Sequence, residues 1–403
     1  MKLLFINQFF APDYAATAQM LSDLAGRLVA AGHDVRVLCG RRRYDRRPGP
    51  PLPHRAIIEG VDVHRVGPAG PALTTTGGQM RMFADFFVRA AAVLPRLTTD
   101  RDVIVTLTTP PMAGLLAMPH RRRRTHVSWC MDLHPEAEFA LDMVSPGGPI
   151  GRILRSFSRR IRTGADACVA LSDTMAARIT DQGVPTDQIH TLPLWGHDHP
   201  SPAEEVDRMR RSLAGPDDFL LLYAGNAGVV HTFDAVIDAA RRLKKRPEFK
   251  LAVVGGGPGH QILREAKADH DLSNLTFHDY VPREQLSSLL AAADAHLVTL
   301  RDDAAGIAVP SKVYGTLSAG RPMLYVGPEA SEPAALIERF DCGHHLENGH
   351  GEGLASAIEG LIDQPDRRRQ MDEAGRRAFE EHFTADAGAR RWEDLLRTLA
   401  ERS

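Results

Sequence analysis

The sequence predicts an α/β protein with two successive domains, each organised around a parallel sheet. Two dense apolar segments, Lys2–Asn7 and Phe219–Tyr223, each open one half of the chain and are followed by a loop and then by apolar residues at helical spacing. Because further strands alternate with helices after both segments, the strands must pair in parallel with right-handed crossovers. The 403 residues suffice for two domains of ordinary size.

The composition is that of a soluble globular enzyme. The chain is 43% hydrophobic and 25% charged, and its net charge of −2 does not favour a nucleic-acid-binding protein. Its four cysteines lack the CxxC spacing of a structural zinc site and fit a reducing compartment. The apolar run at the start is too short for a signal peptide, and no run approaches the roughly 18 residues of a membrane span. We therefore expect a cytoplasmic protein with a buried first strand.

The first half alternates strands and helices. The predicted strands are Lys2–Asn7, Asp34–Leu38, Val61–Val66, Asp102–Leu107, Thr125–Met131, Ala167–Leu171 and Ile189–Leu192. The predicted helices are Thr17–Ala31, Leu73–Thr98 as one long helix or two short ones, one from about Pro111, Ile150–Thr163 and Asp173–Gln182. Ligands of parallel sheets bind beyond the carboxyl ends of the strands, so the loop Gln8–Ala18 is a site candidate. It lacks the glycines of a dinucleotide fingerprint. The basic, proline-rich segment Arg41–Pro53 is expected to be an exposed loop.

The second half repeats this order. We predict strands Phe219–Tyr223, Lys250–Val254, Leu275–His278, Ala295–Leu300 and Met323–Val326, helices Thr232–Lys244, Gln261–His270 and Arg283–Ala293, and a charged helical tail from about Leu354 to Ala400 that breaks at Gln364-Pro365. Prolines and glycines interrupt the periodicity at Leu194–Pro216, which we take as the domain junction.

The stretch Gly306–Pro322 suggests a phosphate site. It turns at Pro310 and leads into a short helix, which places Ser311 at the helix N-cap and Lys312 in the first turn. Free backbone N–H groups and a cation meet there, as a phosphate requires. An ordinary capped surface helix would show the same pattern, so the residues alone leave both interpretations open.

Five segments in this order resemble the retaining nucleotide-sugar glycosyltransferases of family 4, also called group 1. They are AAGHDVRVL (30–38), LLYAGNAGVVHTFDAVIDAARRL (221–243), LAVVGGGPGHQIL (251–263), NLTFHDYVPREQLSSLLAAADAHLVTL (274–300) and VPSKVYGTLSAGRPML (309–324). The segment WCMDLHPEAEFAL (129–141) is similar to the branch that assembles surface polysaccharides, which includes aminosugar transferases.

The resemblance implies the GT-B fold, with two Rossmann-like domains facing across a cleft. Residues 1–196 would bind the acceptor, residues 197–383 the nucleotide sugar, and a C-terminal helix in 384–403 would cross back to the first domain. Such enzymes neutralise the donor diphosphate with cations and a helix N-terminus, so no metal and no cofactor are expected. The implied donor-binding residues are Gly225, Asn226, Gly228, His231, Gly255, Gly256, Val281, Val309, Pro310, Ser311, Lys312 and Val313.

Two departures from the family pattern bear on the donor site. The family's two glutamates are replaced by Ile307 and Gly315, and Asp302 and Asp303 are the nearby carboxylates that could partly substitute. The loop Gly225–Asp234 contains no Arg or Lys, where the family often has both. Lys312 therefore becomes the leading cation for the diphosphate, and we count it among the catalytic residues.

In the first domain, Asp132 and His134 follow a predicted strand and are the candidate catalytic residues that would orient sugar hydroxyls. A helix cap is the alternative role for Asp132. Glu136 is a candidate acceptor-binding residue, or simply a carboxylate in a first helical turn. The other acceptor-binding candidates are Ala16, Thr17 and Thr109. We see no nucleophile, so retention would proceed by front-face reaction.

The helix Ile150–Thr163 carries five arginines and an apolar side. It could lie on a membrane surface, because many relatives use lipid-linked acceptors, or pack on the sheet with its arginines in water. The basic run Arg121–Arg124 modestly favours a lipid-headgroup or pyrophosphate acceptor.

The sequence thus predicts a retaining glycosyltransferase. It would move a sugar, with an N-acetylated sugar among the candidates, from a UDP-sugar to a lipid-linked saccharide or other glycan. The alternatives are a transferase of small-molecule secondary metabolism, a nucleotide-sugar 2-epimerase, and a nucleotide-sugar-binding protein without activity. Acceptor-independent loss of UDP-sugar would identify the epimerase.

Overall fold

A computed structural model of the protein describes residues 1–44, 50–73, 75–196 and 200–401, apart from the side chain of Thr76. Parts of two predicted segments, 45–49 within the basic loop and 197–199 at the domain junction, lie outside the described residues. The chain divides into two compact units: unit 1 comprises Met1–Leu194 and Ala385–Ser403, and unit 2 comprises Trp195–Thr384.

Unit 1 is built on an eight-stranded sheet in the order β3-β4-β2-β1-β5-β6-β7-β8, in which only β3 runs antiparallel to its neighbour. The strands are β1 (Lys2–Ile6), β2 (Asp34–Arg43), β3 (Arg55–Ile58), β4 (Val61–Pro71), β5 (Val103–Thr106), β6 (Thr125–Trp129), β7 (Ala167–Ala170) and β8 (Ile189–Thr191). The central strands are buried on both faces, which is why they appear in the sequence as continuous apolar runs.

The helices of unit 1 are α1 (Ala16–Ala30), α2 (Thr76–Leu97), α3 (Glu136–Ala140), α4 (Pro149–Thr163), α5 (Asp173–Asp181) and, from the end of the chain, a last helix at Ala385–Glu401. The last helix packs on α1. Its Trp392 ring lies 4.6 Å from that of Trp129, and its Glu393 accepts a hydrogen bond from His33 at 3.1 Å.

Unit 2 has a six-stranded, wholly parallel sheet in the order β11-β10-β9-β12-β13-β14. The strands are β9 (Phe219–Asn226), β10 (Phe249–Gly256), β11 (Leu275–His278), β12 (Ala295–Thr299), β13 (Met323–Val326) and β14 (Gly343–Leu346). The helices of unit 2 are α6 (Ala203–Leu213), α7 (Asp234–Arg242), α8 (Pro258–His270), α9 (Leu286–Ala291), α10 (Lys312–Ala319), α11 (Glu332–Phe340), α12 (Gly351–Asp363) and α13 (Pro365–Ala378). The last helix of the chain, which belongs to unit 1, is therefore α14 (Ala385–Glu401).

Several predicted elements were wrong in detail. The junction segment contains α6, and β2 continues into the predicted basic loop as far as Arg43. The helix expected from Pro111 is replaced by two short 3-10 turns at Ala113–Leu116 and Met118–His120. The charged tail is three α-helices with a π-helical turn at Phe379–Phe383. The break predicted at Gln364-Pro365 is confirmed, because α12 ends at Asp363 and α13 begins at Pro365.

No helix in the described part of the chain has both the length and the apolarity needed to cross a bilayer. The same residues contain no cluster of three or more His, Cys, Asp or Glu side chains placed to hold a metal ion.

Candidate functional site

Lys312 lies at the carboxyl edge of the unit 2 sheet, in the first turn of α10. Its ammonium donates to the Tyr223 hydroxyl at 2.8 Å and to the Asn226 carbonyl at 3.2 Å, both at the end of β9. The same nitrogen lies 4.3 Å from the centre of the Tyr223 ring. Tyr223 and Asn226 of β9 thus fix the position of the Lys312 ammonium, although both lie more than 80 residues earlier in the sequence.

His231 completes this cluster. Its Nδ1 lies 2.6 Å from the Thr299 carbonyl, which can only accept, so Nδ1 carries the proton. Nε2 therefore accepts from Lys312 at 3.2 Å. Burial and then the charge of Lys312 lower the pKa of His231 to about 3, although the Thr299 carbonyl acts in the opposite direction. His231 is consequently neutral at physiological pH and positions Lys312 as an acceptor.

Lys312 is a partly buried cation surrounded by neutral groups. Within the described chain, no carboxylate oxygen lies within 4 Å of its ammonium, and burial lowers its pKa from 10.5 to about 7. An ammonium removed from water without a counter-ion is costly, and such groups concentrate at functional sites. The cluster of Lys312, His231, Tyr223 and the Asn226 carbonyl can bind an anion and will be called the lysine cluster.

The start of α10 differs from the prediction in one respect. Ser311 occupies the N-cap position, but its backbone is helical (φ −60°, ψ −17°) and its hydroxyl makes no capping hydrogen bond. The Val313 N–H donates to the Pro310 carbonyl at 3.2 Å. The predicted N-cap position of Ser311 is confirmed, but its side chain does not cap the helix. The helix dipole and Lys312 are what this terminus offers to an anion.

The glycines beside the lysine cluster have backbone reasons to be glycine. Gly225 (φ +112°) and Gly255 (φ +133°) both have left-handed backbone, and a Cβ on Gly255 would lie 2.2 Å from the Gly225 carbonyl. Gly256 faces the Tyr280 ring, which a Cβ would approach to 3.1 Å. The close approach at Gly255 arises because β9 and β10 stay in register through the pairs Gly225 with Gly255 and Asn226 with Gly256. Close strand packing thus explains Gly255 without a ligand.

The remaining donor-binding candidates lie around this edge. Val281 is half-buried and packs against the apolar cluster that includes Leu222 of β9 and Val254 of β10. Val309 and Pro310 are half-buried in the loop before α10. Gly228 accepts a backbone hydrogen bond from His231 at 3.2 Å.

No carboxylate replaces the absent glutamates in the described residues. Ile307 is buried, and a side chain at Gly315 would point to Leu290 of α9. Asp302 accepts from the Asn348 amide at 2.7 Å, and Asp303 pairs with Arg301 at 2.5 Å. Both predicted substitutes therefore already have partners away from Lys312.

In unit 1, Asp132 and His134 follow β6 as predicted and belong to one electrostatic group. His134 Nδ1 lies 2.7 Å from Glu138 Oε1, one helical turn later. Burial alone would lower the pKa of His134, but the hydrogen bond and charge of Glu138, with the charge of Asp132, raise it. Burial raises the pKa of Asp132. The Glu138 carboxylate thus stabilises the imidazolium form of His134 against the effect of burial.

Asp132 does not cap α3, because the N-cap of that helix is Pro135. Its own N–H donates to Thr108 Oγ1 at 3.2 Å, which ties the end of β6 to the end of β5. Glu136, in the first turn of α3, accepts from Arg162 at 3.4 Å and from Gln182 at 3.0 Å. Both of its oxygens are thereby engaged within unit 1.

The other acceptor-binding candidates gather where β1 and β5 end. Ala16 begins α1, and the Thr17 hydroxyl accepts from the Asn7 amide at 3.3 Å. The Thr109 carbonyl accepts from the Gln8 N–H at 2.7 Å. The topology therefore brings Ala16, Thr17 and Thr109 to the same edge of the sheet as Asp132.

Sequence reasoning missed residues that hold the candidates in place. Tyr223 and Thr299 orient Lys312 and His231, and Ser158 of α4 donates to the His134 carbonyl at 2.5 Å. Glu138 was missed although it lies four residues after His134 in a helical segment, which is the spacing of a side-chain pair. Tyr223 and Ser158 gave no comparable signal, because each meets its partner through the tertiary fold.

Two family models match the chain in succession: a glycosyl transferase 4-like domain over residues 16–195 and the glycosyl transferases group 1 over residues 206–378. A protein of Escherichia coli named as a colanic acid biosynthesis glycosyl transferase, WcaI, is 26% identical over 365 residues, covering 84% of this chain and 86% of its own.

Solved structures show the same fold at low identity. The sucrose-phosphate synthase of Thermosynechococcus elongatus superposes with a TM-score of 0.79 at 15% identity over 100% of both chains. The Anabaena protein HepE, solved in complex with UDP-glucose, has a TM-score of 0.73 at 14% identity, covering 99% of this chain and 100% of its own. With one parallel and one almost wholly parallel sheet, and with family matches along both halves, the chain is a glycosyltransferase and belongs to the GT-B enzymes of group 1, family 4.

Proposed function

We propose that this glycosyltransferase transfers a sugar from a UDP-sugar, with the donor diphosphate held at the lysine cluster. The observation that carries the proposal is a partly buried ammonium whose protein partners are all neutral. A diphosphate would supply the missing negative charge, and this contact strengthens as charge develops on the leaving group. The Anabaena protein solved with UDP-glucose supports a UDP-sugar donor. A mycobacterial relative named as GDP-mannose-dependent makes GDP-mannose the competing donor.

The acceptor in this proposal is a lipid-linked saccharide or another glycan bound at the edge of unit 1. His134, whose pKa is raised by Glu138, would donate to a hydroxyl of the acceptor, and Asp132 would accept from another. Transfer proceeds with retention by front-face reaction, in which a donor phosphate oxygen takes the acceptor proton. Cations and a helix terminus suffice for the leaving group in this scheme, without a metal. Colanic acid biosynthesis in the name of the Escherichia coli relative supports a polysaccharide setting.

Lys312→Met gives the sharpest test of the donor site. It removes the ammonium but keeps most of the apolar stem, so we expect a loss of about 2–3 kcal/mol, or roughly 30- to 150-fold, in kcat/KM. Isothermal titration with UDP-glucose, UDP-N-acetylglucosamine and GDP-mannose measures the binding part of this loss. Lys245→Met, a change at an exposed lysine in the same unit, is the matched control. Equal affinity of the Lys312→Met and wild-type proteins would place the diphosphate elsewhere.

Two further classes remain distinguishable by simple assays. An epimerase would consume UDP-sugar without acceptor, whereas a transferase releases UDP only when acceptor is present. A protein that binds nucleotide sugars without activity would show the titration signal and no release. The anomeric configuration of the product, read by NMR, tests retention directly.

A further inference from the structure

Arg301 lies two residues after Thr299, the end of β12, at the same sheet edge as the lysine cluster. Its backbone N–H donates to the Val230 carbonyl at 2.9 Å, and its guanidinium donates to the Val229 carbonyl at 3.4 Å. Val229 and Val230 immediately precede His231, whose Nδ1 donates to Thr299. Arg301 is therefore fastened to the loop that contributes His231 to the lysine cluster.

The guanidinium of Arg301 is held by a carboxylate that is close in the sequence. It donates to both oxygens of Asp303, at 3.1 and 2.5 Å, within the short 3-10 turn Asp302–Ala304. The side chains of Arg301 and Asp303 are 40% and 43% exposed. An ion pair this accessible contributes little to stability, because water solvates both charges when they separate. The Arg301–Asp303 pair can therefore open at small cost.

The lysine cluster alone leaves part of the charge of a diphosphate unpaired. Each phosphate of a UDP-sugar carries a negative charge, whereas the cluster has one ammonium, that of Lys312. The loop Gly225–Asp234, to which Arg301 and Lys312 both donate hydrogen bonds, contains no Arg or Lys of its own. A guanidinium suits the second position, because its planar fork can bind two phosphate oxygens at once. Arg301 thus places a cation beside a loop that has none.

We propose that Arg301 is a second diphosphate-binding residue, which exchanges the Asp303 carboxylate for phosphate oxygens when the nucleotide sugar binds. The exchange replaces one anion by another, so the guanidinium is paired both with and without the donor. Asp303 keeps Arg301 beside the loop in the absence of donor and does not substitute for the missing glutamates. This inference rests on the proposed function, because it takes the lysine cluster as the diphosphate site.

A purely structural role of Arg301 leads to a different expectation for Asp303. If the guanidinium only braced the loop through Val229, the Asp303 carboxylate would help by holding it there, and Asp303→Asn would weaken donor binding. If Arg301 binds the diphosphate, Asp303 competes with the ligand, and Asp303→Asn strengthens donor binding. The sign of the effect of this one change distinguishes the two roles.

Titration calorimetry with UDP-glucose at about 0.15 M salt tests the inference. Arg301→Gln should weaken binding at least about tenfold, because it removes a charge-assisted contact. Arg301→Lys should restore only part of the loss, since an ammonium lacks the planar fork. Asp303→Asn should strengthen binding by about two- to fivefold, and this gain should vanish when Arg301→Gln is also present.

Arg242 and Asp238 supply the matched controls, because they form a similarly exposed pair (47% and 38%) at 2.8 Å on α7 of the same unit. Arg242→Gln and Asp238→Asn should bind UDP-glucose as the wild type does. Wild-type affinity in Arg301→Gln would overturn the inference, as would weaker binding in Asp303→Asn. Lys312→Met separates this inference from the proposed function. If Lys312→Met loses affinity and Arg301→Gln does not, only the role of Arg301 is wrong, whereas wild-type affinity in both would remove the diphosphate from the lysine cluster.

Discussion

At the scale of single residues, the most informative property of this protein is the ionisation of Lys312. Its pKa in the folded protein, about 7, lies below its ordinary 10.5 because of burial. The folded state is therefore penalised below about pH 7, where the ammonium is present in both states, and the penalty fades as the pH rises towards 10.5. Groups with pKa values shifted this far by burial concentrate at functional sites, which supports the proposed contact between Lys312 and the diphosphate.

We expect the affinity for UDP-glucose to decrease as the pH rises through about 7. A bound diphosphate favours the ammonium, so binding is tightest where the free protein already carries that charge. The diphosphate of a UDP-sugar has no titrating oxygen in this range, which leaves Lys312 as the proton acceptor. Titration calorimetry at several pH values, in buffers of different ionisation enthalpy, measures the affinity and the proton uptake together.

Lys312→Met supplies the control for this pH dependence. The affinity of this variant for UDP-glucose should be lower than that of the wild type and should not change with pH over the same range. Its melting temperature should exceed that of the wild type by more at about pH 6 than at about pH 9, because the removed penalty is largest at low pH. A wild-type affinity that does not change with pH would contradict the assignment of the diphosphate to Lys312.

Glu138→Gln tests the second ionisable group. The hydrogen bond and charge of Glu138 raise the pKa of His134 against burial, so an amide should lower that pKa. The C2 proton of His134 in an NMR titration gives the value directly. Glu136→Gln is the matched control, because Glu136 pairs with Arg162 and Gln182 and not with the imidazole. Equal His134 titrations in the wild type and in Glu138→Gln would mean that Glu138 does not govern its protonation.

The sequence could predict individual candidates but not the contacts that make them a site. Lys312 was identifiable from its place at a helix start after a proline turn. Burial lowers its pKa, and the partners of its ammonium are Tyr223, Asn226 and His231. These residues lie more than 80 positions earlier and meet Lys312 only through the parallel order of β9 and β12. Glu136 is the opposite case: the sequence made it a site candidate, but in the structure both of its carboxylate oxygens accept hydrogen bonds, from Arg162 and Gln182.

At the scale of elements, close approach between a helix and a strand end shapes the surroundings of the lysine cluster. Gly259 in the first turn of α8 lies so close to Phe233 that a Cβ would come within 2.2 Å of its ring. The same Cβ would lie 2.9 Å from that of Ala227, just beyond β9. The short helix-to-strand distance therefore requires glycine there.

Gly259→Ala should lower the free energy of unfolding by about 1–3 kcal/mol, because α8 or Phe233 must move to make room. Gly360→Ala in α12 is the opposite case, since nothing lies within 4 Å of a Cβ at that position. It should stabilise the protein by about 0.5–1 kcal/mol through helix propensity. Denaturant unfolding measures both, and the prediction fails if the two changes have the same sign.

Elements with strong apolar periodicity were predictable from sequence, and those without it were not. Met323–Val326 was predicted with its observed limits, because this central parallel strand is buried on both faces. The edge strand Leu275–His278 was also predicted with its observed limits, because Leu275 and Phe277 alternate with polar residues. The edge strand Gly343–Leu346 contains two histidines and one apolar side chain, so its pattern did not indicate a strand. It forms because β13 offers it a row of backbone partners.

At the scale of the whole molecule, the chain leaves unit 1 after Leu194 and returns to it at Ala385. The last element in sequence thus completes the first unit in space, with Trp392, Leu395 and Leu396 buried in it. Unit 1 cannot reach its full core until the end of the chain has been made, whereas unit 2 is continuous in sequence.

A chain that ends at Thr384 should therefore lose stability in unit 1 and keep it in unit 2. Burial of a large aromatic such as Trp392 is worth about 3–5 kcal/mol, and α14 adds further apolar area. We expect amide hydrogen exchange in β1 and β5 to accelerate at least about tenfold, with β9 and β10 unchanged. Retained affinity for UDP-glucose would show independently that unit 2 remains folded. A chain that ends at Glu401 should exchange as the full-length protein does, and equal acceleration in both sheets would show that α14 stabilises the protein globally and not through unit 1.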